Sequence, residues 1–157
     1  MQTSNHIIFK RRRTLSYRID HDESIQCLVT RLKEEHREIH RRLNRISEIS
    51  QTRDGNLRVA ISLLEAIRPV ILRHAVEEEA QLARAIMGSS KTRKRSEQSV
   101  KILQEDRRIK EFYDELPYLL EENAQNRVRK NILEFVDMVR KHHAEEEKET
   151  FPLALVA

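Results

Sequence analysis

The chain is poor in the residues that interrupt helices and in the residues that form covalent cross-links. Its 157 residues include only two glycines, three prolines and one cysteine, and no tryptophan. So few glycines and prolines favour long helices over sheet, because they leave little material for tight turns. The single Cys27 excludes both an internal disulfide and a cysteine-rich zinc site.

Long apolar runs are also missing. No stretch approaches the ~20 apolar residues that a membrane-spanning helix needs, so no membrane association is expected. Near the start, the only apolar group is Ile7, Ile8 and Phe9, and a basic run follows it at residues 10–13. This pattern lacks the apolar core of a secretory signal, and a cytoplasmic location is therefore expected.

Charge is abundant but mixed in sign. Charged residues make up 36% of the chain and hydrophobic residues 38%, and the formal net charge is only +4. A nucleic-acid-binding protein usually concentrates positive charge on one face, so nucleic acid is not an expected partner. Residues 1–21, which contain the basic run, are predicted to form a flexible arm. Nothing in the sequence specifies an oligomeric state.

Hydrophobic periodicity predicts four amphipathic helices in a single domain. Their expected ranges are about 25–49, 56–87, 96–116 and 125–150. Pro117 and Pro152 are each expected to follow a helix end, because proline disfavours helical geometry in the residue before it. The helical domain is predicted to span residues 22–152, with residues 153–157 as a C-terminal tail.

Two histidine–glutamate pairs carry the main chemical signal. His74 and Glu78 form the first pair, and His142 and Glu146 form the second. Residues four apart lie on one face of a helix, and both pairs are in phase with the apolar stripes of their helices. Facing helices of a bundle build metal sites in this way.

The sequence also repeats. The second pair is one copy of the first, and the stripe at positions 32, 36, 39, 43 and 46 recurs at positions 102, 106, 109, 113 and 116. A repeat that occupies half of the chain and occurs twice predicts a duplicated helical hairpin. Two such hairpins would bury their stripes by packing as an antiparallel four-helix bundle, so the predicted fold class is all-α.

Six polar side chains are predicted to face the core of this bundle and to ligate metal. They are His36, His74, Glu78, Asp106, His142 and Glu146. A single histidine on an apolar stripe is usually a hydrogen-bonded core residue, and a run of glutamates is usually a solvated face. Six inward polar groups on four stripes instead need a common partner, because their burial is otherwise costly. A pair of metal cations would provide it.

The histidine doublet in the fourth helix leaves a choice of ligand. His142 and His143 flank the centre of the apolar stripe, so periodicity does not select one of them. The repeat favours His142, which has the same relation to Glu146 that His74 has to Glu78. His143 stays an alternative. Glu147 is expected to point away from the site.

At these residues the chain resembles the hemerythrin-like, or HHE cation-binding, family. The matching elements are Glu35-His36, His74 with Glu78-Glu79, Glu105-Asp106, and His142 with Glu146-Glu147 leading to Phe151-Pro152. The resemblance covers about residues 25–152. It implies a non-haem di-iron centre in a four-helix bundle, with both glutamates of the pairs bridging the ions. Known members bind dioxygen, react with nitric oxide or peroxide, or sense iron and oxygen.

Two departures from the family pattern concern the third helix. Asp106 stands where the family has a histidine, and Lys110 stands where the oxygen carriers have another. A ligand set richer in oxygen favours harder ions, which leaves manganese as an alternative to two iron ions. The same change argues against reversible oxygen carriage.

Three functions are compatible with the sequence. The first is a di-iron protein that binds a small diatomic molecule or peroxide, or that senses or handles iron. The second is a di-metal enzyme acting on peroxide or nitric oxide, for which no catalytic residue stands out. The third is a metal-free interaction module that uses the basic segments at 10–13 and 91–95.

Overall fold

The computed structural model describes residues 23–88, 92–121 and 124–156. These residues form helices without any strand, which confirms the predicted all-α class. The first and third helices are continuous α-helices, Ile25–Gln51 and Arg93–Glu121. The predicted arm at residues 1–21 lies outside the described residues. None of the described helices combines the length and the apolar character needed to cross a membrane.

The second and fourth helices each contain one π-helical turn. The second consists of Leu57–Glu77, the π turn Glu78–Leu82 and the α-helical segment Ala83–Gly88. The fourth consists of Gln125–Glu145, the π turn Glu146–Thr150 and the α-helical segment Phe151–Leu155. Each π turn begins at the glutamate of a histidine–glutamate pair. Single π turns inside α-helices are frequent at functional sites.

The first two helices begin with side-chain caps. The Oγ atom of Ser24 accepts a hydrogen bond of 3.2 Å from the backbone N–H of Cys27. Asn56 Oδ1 likewise accepts one of 3.1 Å from the backbone N–H of Arg58. Each cap satisfies a donor that has no partner within its helix. Between these helices lies Gly55, where an added Cβ would sit 1.9 Å from the carbonyl oxygen of Ile49, so the turn requires glycine.

The third helix begins near its predicted start but extends past its predicted end. The helix begins at Arg93 and passes through Pro117 to reach Glu121. Leu116 is buried and Leu119 packs against the same apolar cluster, so continuing the helix places a further apolar side chain on the core. This burial outweighs the local preference of proline, as tertiary packing often does.

The fourth helix also continues past its predicted end. Pro152 lies in the first turn of the segment Phe151–Leu155, so the prediction that it follows the helix is wrong. A proline costs little in the first turn of a helical segment. Phe151 and Ala154 are both buried, which favours the continuation. Residues 153–155, expected to belong to a tail, are therefore helical.

The interior consists of two apolar clusters with polar side chains between them. The larger cluster includes Ile39 and Ile109, and the smaller includes Leu32 and Ile102. Along each helix the polar residues fall between members of the two clusters. We call these side chains the polar layer; they are His36, His74, Glu78, Asp106, His142, His143 and Glu146. The first helix contacts the second and fourth, and the third also contacts the second and fourth.

Candidate metal centre

All four helices contribute side chains to the polar layer. The six residues predicted as ligands are exposed by 2% or less. His36 comes from the first helix, Asp106 from the third, and the remaining four from the second and fourth helices beside their π turns. Buried imidazoles and carboxylates in this number need partners, because each costs several kcal/mol when it is left unpaired.

Three of the histidines are fixed by carboxylates outside the layer. The Nδ1–H of His36 donates to Glu147 Oε1 at 2.9 Å, and that of His74 donates to Glu35 Oε2 at 2.7 Å. His142 donates in the same way to Glu105 Oε2 at 2.5 Å. An ionised carboxylate only accepts, so a ring hydrogen lies on Nδ1, and in the neutral ring, the form that ligates metal, the Nε2 lone pair faces the layer. Metal-ligating histidines are usually held by such partners.

The inward atoms lie close together. The Nε2 atoms of His36 and His74 are 3.0 Å apart, and His36 Nε2 lies 3.4 Å from Glu146 Oε2. With metal–ligand bonds of about 2.1 Å, two ligand atoms at right angles are separated by roughly 3 Å. In the neutral rings two lone pairs facing each other at this distance would repel, whereas a shared cation would attract both.

Most of the inward oxygen atoms have no hydrogen-bond partner. Both carboxylate oxygens of Glu78, Asp106 and Glu146 are buried without one, and so is His142 Nε2. Glu78 Oε1 lies 2.5 Å from His74 Nε2 but not in a direction that makes a hydrogen bond. Buried polar atoms are nearly always satisfied, so this set of convergent atoms fits a cation that supplies the missing partner.

Two overlapping groups of potential ligand atoms can be distinguished, each with its atoms within 4.8 Å of one another. The first consists of His36, His74, His143 and Glu146, and the second of Glu78, His142 and Glu146. Glu146 belongs to both groups. Asp106 belongs to neither, but its Oδ1 lies 3.5 Å from His142 Nε2. The structure thus brings five predicted ligands into these groups, with His143 added and Asp106 beside them.

A family model for the hemerythrin HHE cation binding domain matches residues 27–154. The chain belongs to this family. The match includes the whole polar layer and confirms the resemblance seen in the motifs. No curated protein and no solved structure matches the chain. The buried histidine–glutamate group of this HHE domain fits a metal site, in agreement with the cation binding that the family description states.

Electrostatics in the layer of this HHE domain point to the same need for positive charge. Burial raises the pKa of Asp106 to about 8. Burial, followed by the charge of Glu78, raises the pKa of Glu146 to about 7. Burial also opposes ionisation of Glu78, but nearby imidazoles, led by His74, outweigh it and hold its pKa well below the usual range. Burial opposes protonation of His74, but the carboxylates outweigh it and raise its pKa to about 10, so the layer favours positive charge. A metal cation would let Asp106 and Glu146 ionise at lower cost as well.

Several site residues were missed or misplaced by periodicity. His143 is buried at 2% exposure, and Glu147, expected to point away, bonds to His36. Glu147 is exposed, as expected of a side chain that points away from the layer, but its contact with the outer nitrogen of His36 was not expected. Glu35 and Glu105 were not singled out as histidine partners. Their shared position in the repeat, each just before an inward residue, was the available signal.

Proposed function

We propose that this HHE domain binds two iron ions in its polar layer and uses them to interact with dioxygen, nitric oxide or peroxide, or to sense or handle iron. The observation that carries the proposal is the set of buried, unpartnered oxygen atoms of Glu78, Asp106 and Glu146, which converge with His142 Nε2. These atoms make no hydrogen bond in the structure, whereas bound cations would pair with all of them.

The proposed ligands are the six residues predicted from the sequence, with both glutamates bridging. Glu78 Oε1 lies 2.5 Å from His74 Nε2, while Glu78 Oε2 lies 3.5 Å from His142 Nε2. Glu146 Oε2 lies 3.4 Å from His36 Nε2 and 3.7 Å from His142 Nε2. Both carboxylates therefore stand between the two groups of histidines, where they would hold two ions close together. Asp106 would serve the ion on the His142 side.

Imidazole and carboxylate donors suit iron and also manganese. A bound pair of irons would supply a redox-active Lewis acid for the small molecule. The chain itself contributes burial, which keeps bulk water away from the layer, and ring orientation, which Glu35, Glu105 and Glu147 provide through Nδ1. Outer carboxylates of this kind raise the basicity of the histidines that they hold.

We also infer that the bundle is antiparallel and arose by duplication of a hairpin. Arg31 pairs with Glu77 and Glu35 with His74, so contacts advance along the first helix while they retreat along the second. The third and fourth helices repeat this pattern, since Lys101 pairs with Glu145 and Glu105 with His142. Each member of this second set occupies the position in the repeat that the corresponding member of the first set occupies.

Metal analysis of the purified protein, with an optical spectrum, tests the proposed function. We expect about two irons per chain after anaerobic reconstitution with Fe(II), and absorption changes on adding nitric oxide, peroxide or dioxygen. The chelated protein is the control and should show none of these changes. Failure to bind metal would overturn the proposal and favour an interaction module. Consumption of peroxide or nitric oxide by the same sample would distinguish turnover from binding.

A further inference from the structure

His143 is a buried histidine of the polar layer that the proposed centre does not use as a ligand. It is exposed by 2%, and its ring lies face to face with that of His36, with centroids 3.8 Å apart and planes inclined by 8°. A metal ion bound through Nε2 lies in the plane of its imidazole, because the lone pair of that nitrogen lies in this plane. An ion bound to His36 therefore lies outside the plane of His143, and the two rings do not share it.

The ring of His143 has contacts on several sides that fix its position. Its Nδ1 lies 3.0 Å from Nε2 of His40, which follows His36 by one turn of the first helix. The planes of the His40 and His143 rings are inclined by 10°. His143 also meets the ring of His74 edge-on, with centroids 5.2 Å apart. His143 is thus held by the first helix while it covers one face of His36 and touches the second imidazole on that side of the layer.

His36 needs such support more than the other two proposed imidazole ligands do. The side chain of Glu147, which holds Nδ1 of His36, is 43% exposed. The carboxylates that hold the other two rings are only 13% and 21% exposed. Because water competes with an exposed hydrogen-bonded pair, Glu147 fixes its ring least firmly. Rotation of His36 about its Cβ–Cγ bond would also break the face-to-face contact, so the ring of His143 restrains this rotation.

The repeat supplies an independent argument. When the two halves of the chain are aligned, His36 corresponds to Asp106, and His143 corresponds to Ala75. The half that presents a ring at this position therefore receives a stacking ring from the fourth helix. The half that presents a carboxylate has alanine at the corresponding position of the second helix. A carboxylate has no ring face to stack on, so the additional histidine occurs where a ring can use it.

We propose that His143 is a positioning residue for the proposed iron ligand His36. Its ring holds that of His36 in the orientation in which Nε2 faces the layer, 3.0 Å from Nε2 of His74. The proposal rests on the two-ion centre proposed above, and it gives His143 a role that requires no bond to metal. A ring that is already oriented loses less rotational freedom when it binds an ion. The stack therefore raises the affinity for the ion on the His36 side.

Two variants separate stacking from packing. His143→Phe keeps a flat ring without either nitrogen atom, whereas His143→Leu fills a similar volume without a ring. Anaerobic Fe(II) titrations measure the affinity for each ion, and Mössbauer spectra report the geometry around each ion. We expect His143→Leu to lower the affinity for the ion on the His36 side by about tenfold and to broaden its Mössbauer signal, because His36 can then rotate. His143→Phe should stay within about threefold of the wild-type affinity, because it keeps the stacked pair.

Two further variants serve as controls. Val136 is fully buried on the same helix as His143 and belongs to the larger apolar cluster. Val136→Ala should lower the free energy of unfolding without changing the affinity for one ion relative to the other. His74→Ala removes another proposed ligand of the ion on the His36 side, so the Mössbauer signal that it abolishes identifies that ion.

The possible outcomes separate the positioning role from the proposed function. If the wild type binds no iron, the proposed function fails, and the positioning role fails with it. If the wild type binds iron, two results overturn the positioning role alone. In one, His143→Leu leaves the affinities and spectra unchanged; in the other, His143→Phe loses as much affinity as His143→Leu.

If either variant does not fold, crystals of the iron-loaded wild type decide. A His36 ring that is bound to iron and parallel to the ring of His143 supports the positioning role. Rings that no longer stack overturn it, and so does His143 Nε2 within about 2.2 Å of an ion.

Discussion

The two helical hairpins, residues 25–88 and 93–155, share their supporting contacts but differ in the donors that they present. In the first, His74 donates to Glu35, and in the second His142 donates to Glu105. At the position facing the layer from the adjoining helix, the first hairpin has His36, whereas the second has Asp106. The comparison separates two roles: the shared contacts orient the rings, and the differing donors would set the chemistry of each of the two proposed ions.

The largest effect is expected at the glutamates that the two hairpins have in common. Because each is proposed to bridge both ions, Glu78→Ala and Glu146→Ala should each remove most of the bound metal, as measured by elemental analysis. Glu79→Ala is the control, since its carboxylate accepts a hydrogen bond from Lys110 outside the layer. Equal metal loss from the Glu78 and Glu79 variants would contradict the assigned orientation.

A smaller effect is expected where the hairpins differ. Asp106→His makes them alike, and should retain the di-iron centre while shifting its optical spectrum toward that of the oxygen carriers. Asp106→Leu should lower the affinity for the proposed ion near His142 more than the affinity for the other ion. The reason is that Asp106 Oδ1 lies 3.5 Å from His142 Nε2.

The metal-free protein offers a second test of Asp106. It should tolerate Asp106→Leu or gain stability in urea unfolding, because a buried polar group without a partner is removed. If Asp106→Leu changes neither metal stoichiometry, affinity nor spectrum, Asp106 lies outside the centre.

The outer carboxylates should have equal effects in the two hairpins. Glu35→Ala frees Nδ1 of His74, and Glu105→Ala frees Nδ1 of His142. Each should lower the affinity for the nearer ion by about tenfold to a hundredfold. Glu35→Gln and Glu105→Gln keep an acceptor and should lose less. Fe(II) titrations measure both affinities. If the affinity falls in the variant of only one hairpin, the shared contacts are not equivalent.

The smallest effect is expected at two basic side chains nearer the surface, Arg31 and Lys101. Arg31 pairs with Glu23, Glu35 and Glu77, whereas Lys101 pairs with Glu145 and, at 4.0 Å, with Glu105. Because Arg31 links more groups, Arg31→Met should lower the free energy of unfolding by ~1 kcal/mol and Lys101→Met by about half as much. Urea unfolding of the metal-free protein measures both. A greater loss of unfolding free energy from Lys101→Met than from Arg31→Met would contradict this prediction.

The helices and the inward face of the site could be predicted from the sequence because both depend on local periodicity. The apolar stripe fixes which face of a helix is buried, so His36, Asp106 and Glu78 were placed in the interior without knowledge of the neighbouring helices. The helix ends at Pro117 and Pro152 were predicted wrongly, because Leu119 and Phe151 pack against other helices and keep the chain helical.

The sequence by itself therefore determined the fold class, the family and the residues that face the core. Only the tertiary structure showed which nitrogen of each ring faces the layer, since Glu35, Glu105 and Glu147 reach their histidines from other helices. It also brought His143 beside His36 and His40, which are more than a hundred positions away in the chain. Such contacts depend on how four helices are rotated against one another and on two π turns, and periodicity within one helix specifies neither.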